Sequence, residues 1–339
     1  MTARSAIHGC RIAVLYNAPV LPPEHHEAES ERAVVAVARA VVKALKNQDA
    51  RAWMLAAKGP AHRLVNRLKT QKPEVVFNLT EGLDGNSAGE AWVTSLLELM
   101  RIPYTGCPPE AQMLCRHKAR TKALLAGFGL PTAPFAVVRA GEPLPRLPFP
   151  LFIKPECEDA SLGIDQGSVV EDERSLRERI HKISGDYGTS LVESYLPGRE
   201  FNVGVIGRAE PAALPIAEVV YKTGGDSWPI LTYDAKWSPG SPDDVRSPVQ
   251  CPAQVSDELA ELLRKIAIRA FLATGCRDAA RVDFRLNGDG NPMILEVNPN
   301  PDLDPKAGWA RALSVSGRDY AETLAGFVAA AKSRTGIHV

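Results

Sequence analysis

ARVDFRLNGDGNPMILEVNPNP, residues 280–301, is the stretch on which the fold turns. Arg281, Asp283 and Arg285 alternate with Val282, Phe284 and Leu286, a period of two that predicts a strand with one polar face. The NGDGN that follows supplies residues tolerant of positive φ, so the chain is expected to return as a hairpin. On the returning strand Glu296 and Asn298 share a face, while Leu295 and Val297 point the other way. If the two polar faces coincide, two carboxylates (Asp283, Glu296) and an amide oxygen (Asn298) converge beside Arg281. Oxygen-only ligands of this kind suit Mg²⁺, which takes one or two carboxylates and leaves its other positions to water and phosphate. Taken alone, the hairpin is equally readable as a solvated sheet face with ordinary charges.

Two upstream segments carry groups that would complete such a site. In LPFPLFIKPECEDASLG (147–163), Lys154 ends an apolar strand and is followed by a loop of acids and small residues. A lysine beneath a flap of that kind can neutralise phosphate oxygens while flap amides donate to them. A surface lysine at a strand end is the alternative. In SLVESYLPGREFNVGV (190–205), Glu193 sits at a strand end, Tyr195-Leu196 is apolar, Pro197-Gly198 turns the chain and Glu200 opens the next strand. This suits a purine slot beside a ribose-binding carboxylate, and also a plain turn between strands.

Further out, strands and helices alternate. Arg11–Tyr16 and Glu74–Leu79 read as buried strands. Ser30 is placed to N-cap a helix with Glu31 in its first turn and Val34, Val37, Val41 and Leu45 at helical spacing. Helices are also expected over Ala91–Met100, over 116–130 (closed by Gly127 and Gly129, stopped by Pro131) and over Asp172–Ile183, Ser256–Ala273 and Asp319–Ala331. Strands are expected at Leu151–Lys154, Ser190–Tyr195, Glu200–Ile206 and Leu214–Val220. Residues 223–255, rich in Gly, Pro, Ser and Asp, are long for a loop and read as a lid or a disordered stretch, with 226–246 expected to be mobile without ligand. The alternation predicts an α/β protein with a parallel sheet covered on both faces in its first unit. A length of 339 residues suits two or three domains.

Lys+Arg and Asp+Glu balance at 40 each. A net charge of zero argues against non-specific affinity for nucleic acid or an anionic membrane. No apolar run approaches the ~20 residues of a membrane helix, and the opening residues read as a first strand and not as a signal peptide. The 6 cysteines stand singly without CxxC spacing, so neither a zinc site nor a disulfide framework is indicated, and a cytoplasmic protein with reduced thiols is expected. His25-His26 resemble ligands, but adjacent side chains diverge and the run reads as a solvated loop. The loop 82–89 matches neither GxGxxG nor a Walker A pattern, and no Ser or Cys nucleophile has an evident base.

Taken in order, LCRHKARTK (114–122), LFIKP (151–155), VESYLPGREFNVGV (192–205), TYDAKW (232–237) and the 280–301 hairpin resemble the ATP-grasp ligases of the D-alanine–D-alanine ligase group. The resemblance runs from about residue 11 to 330. It implies an ATP-grasp fold of three α/β domains (1–115, 116–196 and 197–335), with ATP held between the central and C-terminal domains, and a homodimer. Mg²⁺, with Mn²⁺ as an alternative, would bridge the phosphates. Carried over by matching motif, Lys118 and Lys154 would contact the phosphates, with Ser161 in the flap above them. Glu193, Ser194, Tyr195 and Leu196 would line the adenine site and Glu200 would hold the ribose. Asp283, Glu296 and Asn298 would ligate the metal, Arg281 would stabilise the reacting centre, and Lys236 would reach in from the lid.

The implied activity is a carboxylate–amine ligase that works through an acyl phosphate and releases ADP and phosphate, with small-molecule substrates of the amino-acid kind. The chain also departs from the family. Its flap has Asp159-Ala160-Ser161 after Glu158 where Gly-Ser-Ser is usual. The first-domain loop Asn78–Gly82 lacks the family's His. Asp302 stands where a Gly is usual and Ala307 roughly where a Ser is. These differences predict substrates other than two D-alanines, with Glu81 and one of Glu29 or Glu31 at the donor's ammonium group. Asp302 would lie at the acceptor, with Lys306 or Arg311 supplying a compensating cation. The rival readings are a phosphotransferase on the same fold and a non-catalytic nucleotide-binding regulatory protein.

Overall fold

The apolar run at 11–17 is strand β1 (Arg11–Asn17) in the computed structural model, which describes residues 2–22, 24–26, 28–222 and 227–334. It lies between β2 (Arg51–Ala57) and β3 (Val75–Asn78) and is parallel to both. Ile12 and Val14 enter one core with Val34, Val37, Val41 and Leu45 of the helix Ala28–Asn47. Ala13 and Leu15 enter another with Leu64, Leu68, Val93 and Leu97. Burial on both faces is why β1 reads as a continuous apolar run and not as an alternation. A short helix, Ala3–Ile7, precedes β1, and the helix after β1 starts at Ala28, so Ser30 lies inside it and is not its cap. The sequence did not announce β2 or the helix Ala61–Gln71. The alanines of RAWMLAA have little strand propensity, and the strand is held by packing of Leu55 and Ala57.

The helix expected over 116–130 forms as Lys118–Gly127, and an unexpected helix, Pro109–Arg116, precedes it, the two separated at His117 where ψ is 87°. A second sheet follows, formed by β4 (Phe135–Val138), β5 (Leu151–Pro155), β6 (Val169–Val170) and β7 (Ser190–Ser194) in the order β4-β7-β5-β6. Its pairings are antiparallel. Leu176, Ile180 and Ile183 of the helix Glu173–Tyr187 cover it, and Asp172 caps that helix by accepting from the Ser175 amide.

The third sheet holds β8 (Glu200–Gly207), β9 (Ala212–Ala213), β10 (Ala217–Val219), β11 (Val249–Gln250), β12 (Asp278–Leu286) and β13 (Pro292–Asn298). Their order is β11-β10-β8-β12-β13, with β9 beside β8. The apolar alternates Val282 and Phe284 pack with Phe201 and Val203 against Leu263, Ile266 and Phe271 of the helix Asp257–Ala273, which Ser256 caps. At the turn into β8, Gly198 leaves no room for a side chain: a Cβ there would lie 2.6 Å from the Leu286 Cβ and 2.7 Å from its carbonyl oxygen. The hairpin register sets Arg281 opposite Asn298 and Asp283 opposite Glu296, then slips between Asp283 and Phe284. Leu295 is the extra residue of this bulge. Simple alternation sent it to the apolar face with Val297; the bulge re-aims it, and it lines the cavity described below.

The long polar segment is not a structureless loop. Its described part contains the helices Tyr233–Trp237 and Pro242–Arg246, capped by Thr232 and Ser241. Residue 226, the first of the stretch expected to be mobile, lies outside the described residues. The final helices, Gly308–Val315 and Tyr320–Ser333, return to the first sheet and place Trp309, Leu313, Leu324 and Val328 in the core of Ile12 and Val14. Among the described residues no helix is long and apolar enough to cross a membrane.

Candidate active site

A cavity of about 760 Å³ opens where β5 and β7 of the second sheet face β8, β12 and β13 of the third. Lys154, Ser161, Glu193, Ser194, Tyr195, Leu196, Glu200, Lys236, Arg281, Asp283, Glu296, Asn298, Asp302 and Lys306 all line it. Lys118 lies at its edge. Its ammonium group donates to the Glu158 carbonyl and, at 2.8 Å, to the Asp159 carboxylate.

The hairpin forms the floor. Arg281 grips Asp283 with two hydrogen bonds of 2.7 Å, and Asn202 Nδ2 donates to Asp283 Oδ1 at 2.8 Å. The Asn298 side-chain oxygen accepts the Asn300 amide at 2.9 Å. Glu296 Oε2 lies 3.7 Å from Lys154 Nζ. Burial alone would raise the Glu296 pKa, but Lys118, Lys154, Arg281 and Lys236 together outweigh it and hold the carboxyl at about 2. Lys236 feels the reverse: burial first, then the Arg281 charge, push its pKa down despite Glu296, Asp283 and Asp302.

The rear wall is a buried ion triad. Glu193 lies 2.5 Å from Lys122 and 3.2 Å from Lys154. Burial opposes ionisation of Glu193, yet the two lysines hold its pKa below the usual carboxylate range. The carboxylate expected at an adenine base is therefore committed to positioning lysines, and Lys122 is a member of the site that the sequence reading missed. At the start of β8, Glu200 accepts from the Tyr221 hydroxyl at 2.8 Å and pairs with Arg285 at 3.3 Å. Burial raises its pKa in spite of those partners. The Arg285 guanidinium is sandwiched between the rings of Tyr195 (5.1 Å) and Tyr221 (5.4 Å), and Trp228 meets Tyr195 edge-on at 5.2 Å. Arg285 shares the polar face of β12 with Arg281 and Asp283, so the period-two pattern held the signal for it. Nothing local pointed to Tyr221 or Trp228.

Flap and lid close the top. Trp237 Nε1 donates to the Ala160 carbonyl at 2.9 Å, and the Tyr233 amide donates to the Ile164 carbonyl at 2.9 Å. Ala160 and Ser161 both have positive φ (56° and 61°), a conformation costly for residues with a Cβ and held here by the lid above. His25 and His26 stack on each other at 4.7 Å, and His26 meets the lid's Tyr233 edge-on at 6.4 Å, so this pair is more than a solvated loop.

The substrate end departs furthest from expectation. Glu29 is exposed and outside the cavity lining. Glu31 uses its carboxylate to accept the amides of Val20 and Leu21 at 2.8 and 2.7 Å. An acidic residue in a helix's first turn is favoured there by the helix dipole, and that local use accounts for both. Glu81 is exposed beside the cavity and is not among its lining residues, its amide donating to Asn17 Oδ1 at 3.1 Å. Its carboxyl still meets solvent, yet the protein packed around it and the like charge of Asp302 raise its pKa to about 7. Glu90 is buried, and that burial, with the charges of Asp159 and Glu81 adding to it, raises its pKa well above the usual carboxylate range. Asp302 Oδ1 accepts the Asp304 amide at 2.8 Å, and Arg311 reaches the Val249 carbonyl at 2.9 Å.

Known proteins resemble this chain in sequence and in fold. Residues 124–329 match the family described as D-ala D-ala ligase C-terminus. The D-alanine–D-alanine ligase of Pelotomaculum thermopropionicum is 30% identical over 287 residues, covering 81% of this chain and 85% of that one. A Sinorhizobium fredii protein named uncharacterized protein y4sG is 36% identical over 262 residues, covering 77% of this chain and 75% of that one. The crystal structure of D-alanine–D-alanine ligase from Bacillus anthracis complexed with ATP has the same fold, with a TM-score of 0.76 over 96% of this chain and 98% of that one at 18% identity. The cavity's lysines, its acid-bearing hairpin and these matches lead to one conclusion: the chain belongs to the D-alanine–D-alanine ligase-like family of ATP-grasp, ATP-dependent ligases.

Proposed function

We propose that this protein joins a carboxylic acid to an amine at the expense of ATP, and that its substrates are not two molecules of D-alanine. The observation that carries the reading is the gathering of Lys154, Lys236 and Arg281 in one cavity with Asp283, Glu296 and Asn298, Lys154 lying 3.7 Å from Glu296 and the charge of Lys118 also acting on it. So much positive charge in a buried cleft suits the triphosphate of ATP, whose oxygens would take over the lysines now shared among carboxylates. The donors Asp283, Glu296 and Asn298 are all oxygens on one face of the hairpin, which fits Mg²⁺, with Mn²⁺ an acceptable substitute. A bound cation of this kind would neutralise charge on the phosphate oxygens.

The chain's own residues have separable tasks. Lys118 and Lys154 hold phosphate oxygens from two sides, under flap amides near Ser161. Ser194, Tyr195, Leu196 and the re-aimed Leu295 wall the base, Glu193 keeps the lysines in place, and Glu200 accepts from the ribose. ATP would thus lie between the units 116–196 and 197–335. The γ-phosphoryl group passes to the donor carboxylate, giving an acyl phosphate, and the amine displaces phosphate through a tetrahedral intermediate. Arg281 and Lys236 are placed to donate to the oxygens on which charge develops. The lid excludes water that would hydrolyse the acyl phosphate.

Substrate choice follows from the acids. Glu81 and Asp302 repel each other, and a substrate bearing a positive group would relieve that repulsion. Lys306 and Arg311, which also line the cavity, suit a substrate carboxylate. A panel of amino acids and amines, scored for ADP release and for product mass, tests the reading. A new amide with ADP and phosphate supports it. A stable phosphorylated product formed without amine would make the protein a phosphotransferase, and no ADP with any pair would make it a nucleotide-binding protein only.

A further inference from the structure

Outside the hairpin, His117, Glu156 and Cys157 bring a nitrogen, an oxygen and a sulfur ligand together, all within 4.8 Å of one another. His117 is the elbow between the helices Pro109–Arg116 and Lys118–Gly127, while Glu156 and Cys157 directly follow β5. His117 Nδ1 lies 3.2 Å from Glu156 Oε2 and 3.2 Å from Cys157 Sγ. Around a tetrahedral zinc ion, with bonds of about 2.0–2.3 Å, ligand atoms stand roughly 3.5 Å apart. Two of the three separations are close to that value. The third, Cys157 Sγ to Glu156 Oε2 at 2.5 Å, is shorter and would have to open by about 1 Å on binding.

We propose that His117, Glu156 and Cys157 bind a borderline-soft divalent cation of the Zn²⁺ class, with water in the fourth position. Imidazole, carboxylate and thiolate together balance the charge of the dication. Glu156 is oriented for the task, because its other oxygen accepts the Ala119 amide at 3.3 Å. The nearest cations are engaged elsewhere: Arg116 with Ser87 and Glu158, and Lys118 with Asp159. Burial first, then the Glu156 carboxylate, push the Cys157 thiol up to about 12, so the metal-free cysteine is a poor nucleophile. Binding forms the metal–sulfur bond and expels the thiol proton to solvent. A thiolate ligand separates this site from the oxygen-only set on the hairpin. The sequence reading found no zinc pattern because the three ligands come from two segments, neither with paired cysteines.

The bound ion would tie the helix elbow to the root of the phosphate flap, where the Lys118 amide already donates to the Glu156 carbonyl at 3.3 Å. Full-length protein, stripped with a chelator and held in excess Mg²⁺ to fill oxygen sites, should bind one Zn²⁺ in equilibrium dialysis. Its melting temperature should rise with Zn²⁺, since a ligand of the native state stabilises it. Co²⁺ in place of Zn²⁺ should give a thiolate-to-metal charge-transfer band. Cys157→Ser should abolish that band, and both Cys157→Ser and His117→Ala should weaken Zn²⁺ by more than about tenfold. Their metal-free melting temperatures should match the wild type, which shows that they fold. Glu296→Gln should keep the Zn²⁺ site. Equal Zn²⁺ affinity in the wild type and both variants, no binding by the wild type at micromolar Zn²⁺, or loss of binding in Glu296→Gln would each overturn the proposal.

Discussion

Glu296 carries the charge balance of the cavity. Its carboxyl, held at about 2, is ionised throughout the physiological range and answers four cations. Glu296→Gln leaves those cations to repel one another, so the ligand-free protein should lose about 2 kcal/mol of stability in denaturant titration. Turnover should fall by the equivalent of about 3 kcal/mol or more. Near-normal turnover would remove the metal role assigned to the hairpin. Lys154 makes a different prediction, because Lys122 can hold Glu193 without it. Lys154→Met should weaken ATP much more than adenosine, and calorimetry showing equal losses for both would mean that the lysine serves the fold alone. Glu81 titrates in an accessible range. Its folded-state pKa of about 7 lies above the ordinary 4.5, so ionisation disfavours the folded state. Wild-type stability should therefore decline relative to Glu81→Gln as pH rises from 4.5 through 7. Parallel stability curves for the two proteins would show that Asp302 and burial do not act on Glu81 as described.

Among elements, the flap and lid depend on each other most. The lid helix Tyr233–Trp237 supplies the indole N–H that holds Ala160, and Ala160 and Ser161 occupy a backbone region that needs such support. Hydrogen exchange across 227–250 should slow when a non-hydrolysable ATP analogue and both substrates are present. Trp237→Phe removes one hydrogen bond, about 1 kcal/mol, and should reduce that protection. Unchanged exchange in the wild type would rule out closure of the lid. The hairpin and the helix Asp257–Ala273 were legible because periodicity and capping are local properties. The bulge at Leu295, the break at His117 and the strand Arg51–Ala57 were not, since each is set by packing against a distant segment.

At the scale of the molecule, the second and third sheets present one cleft lined by both the proposed nucleotide residues and the proposed substrate residues Asp302, Lys306 and Arg311. D-alanine alone should give negligible phosphate release at millimolar concentration, because Asp302, which lines the cavity and is proposed to lie at the acceptor, would repel its carboxylate. A D-alanyl-D-alanine turnover of ~1–10³ s⁻¹ would contradict this. By itself the sequence determined the α/β class and the polar face of the hairpin, since alternation, caps and turn residues act over a few positions, while the nucleotide-site residues were named through the family resemblance of their motifs. Only the tertiary structure decided which charges neutralise one another. Arg285 reaches Glu200 across 85 residues of chain, Lys122 shares Glu193 with Lys154, and Glu31 is spent on its own loop while Glu81 remains beside the cavity. Coulomb energy and desolvation depend on distance and burial in space, and neither is encoded in the spacing of residues along the chain.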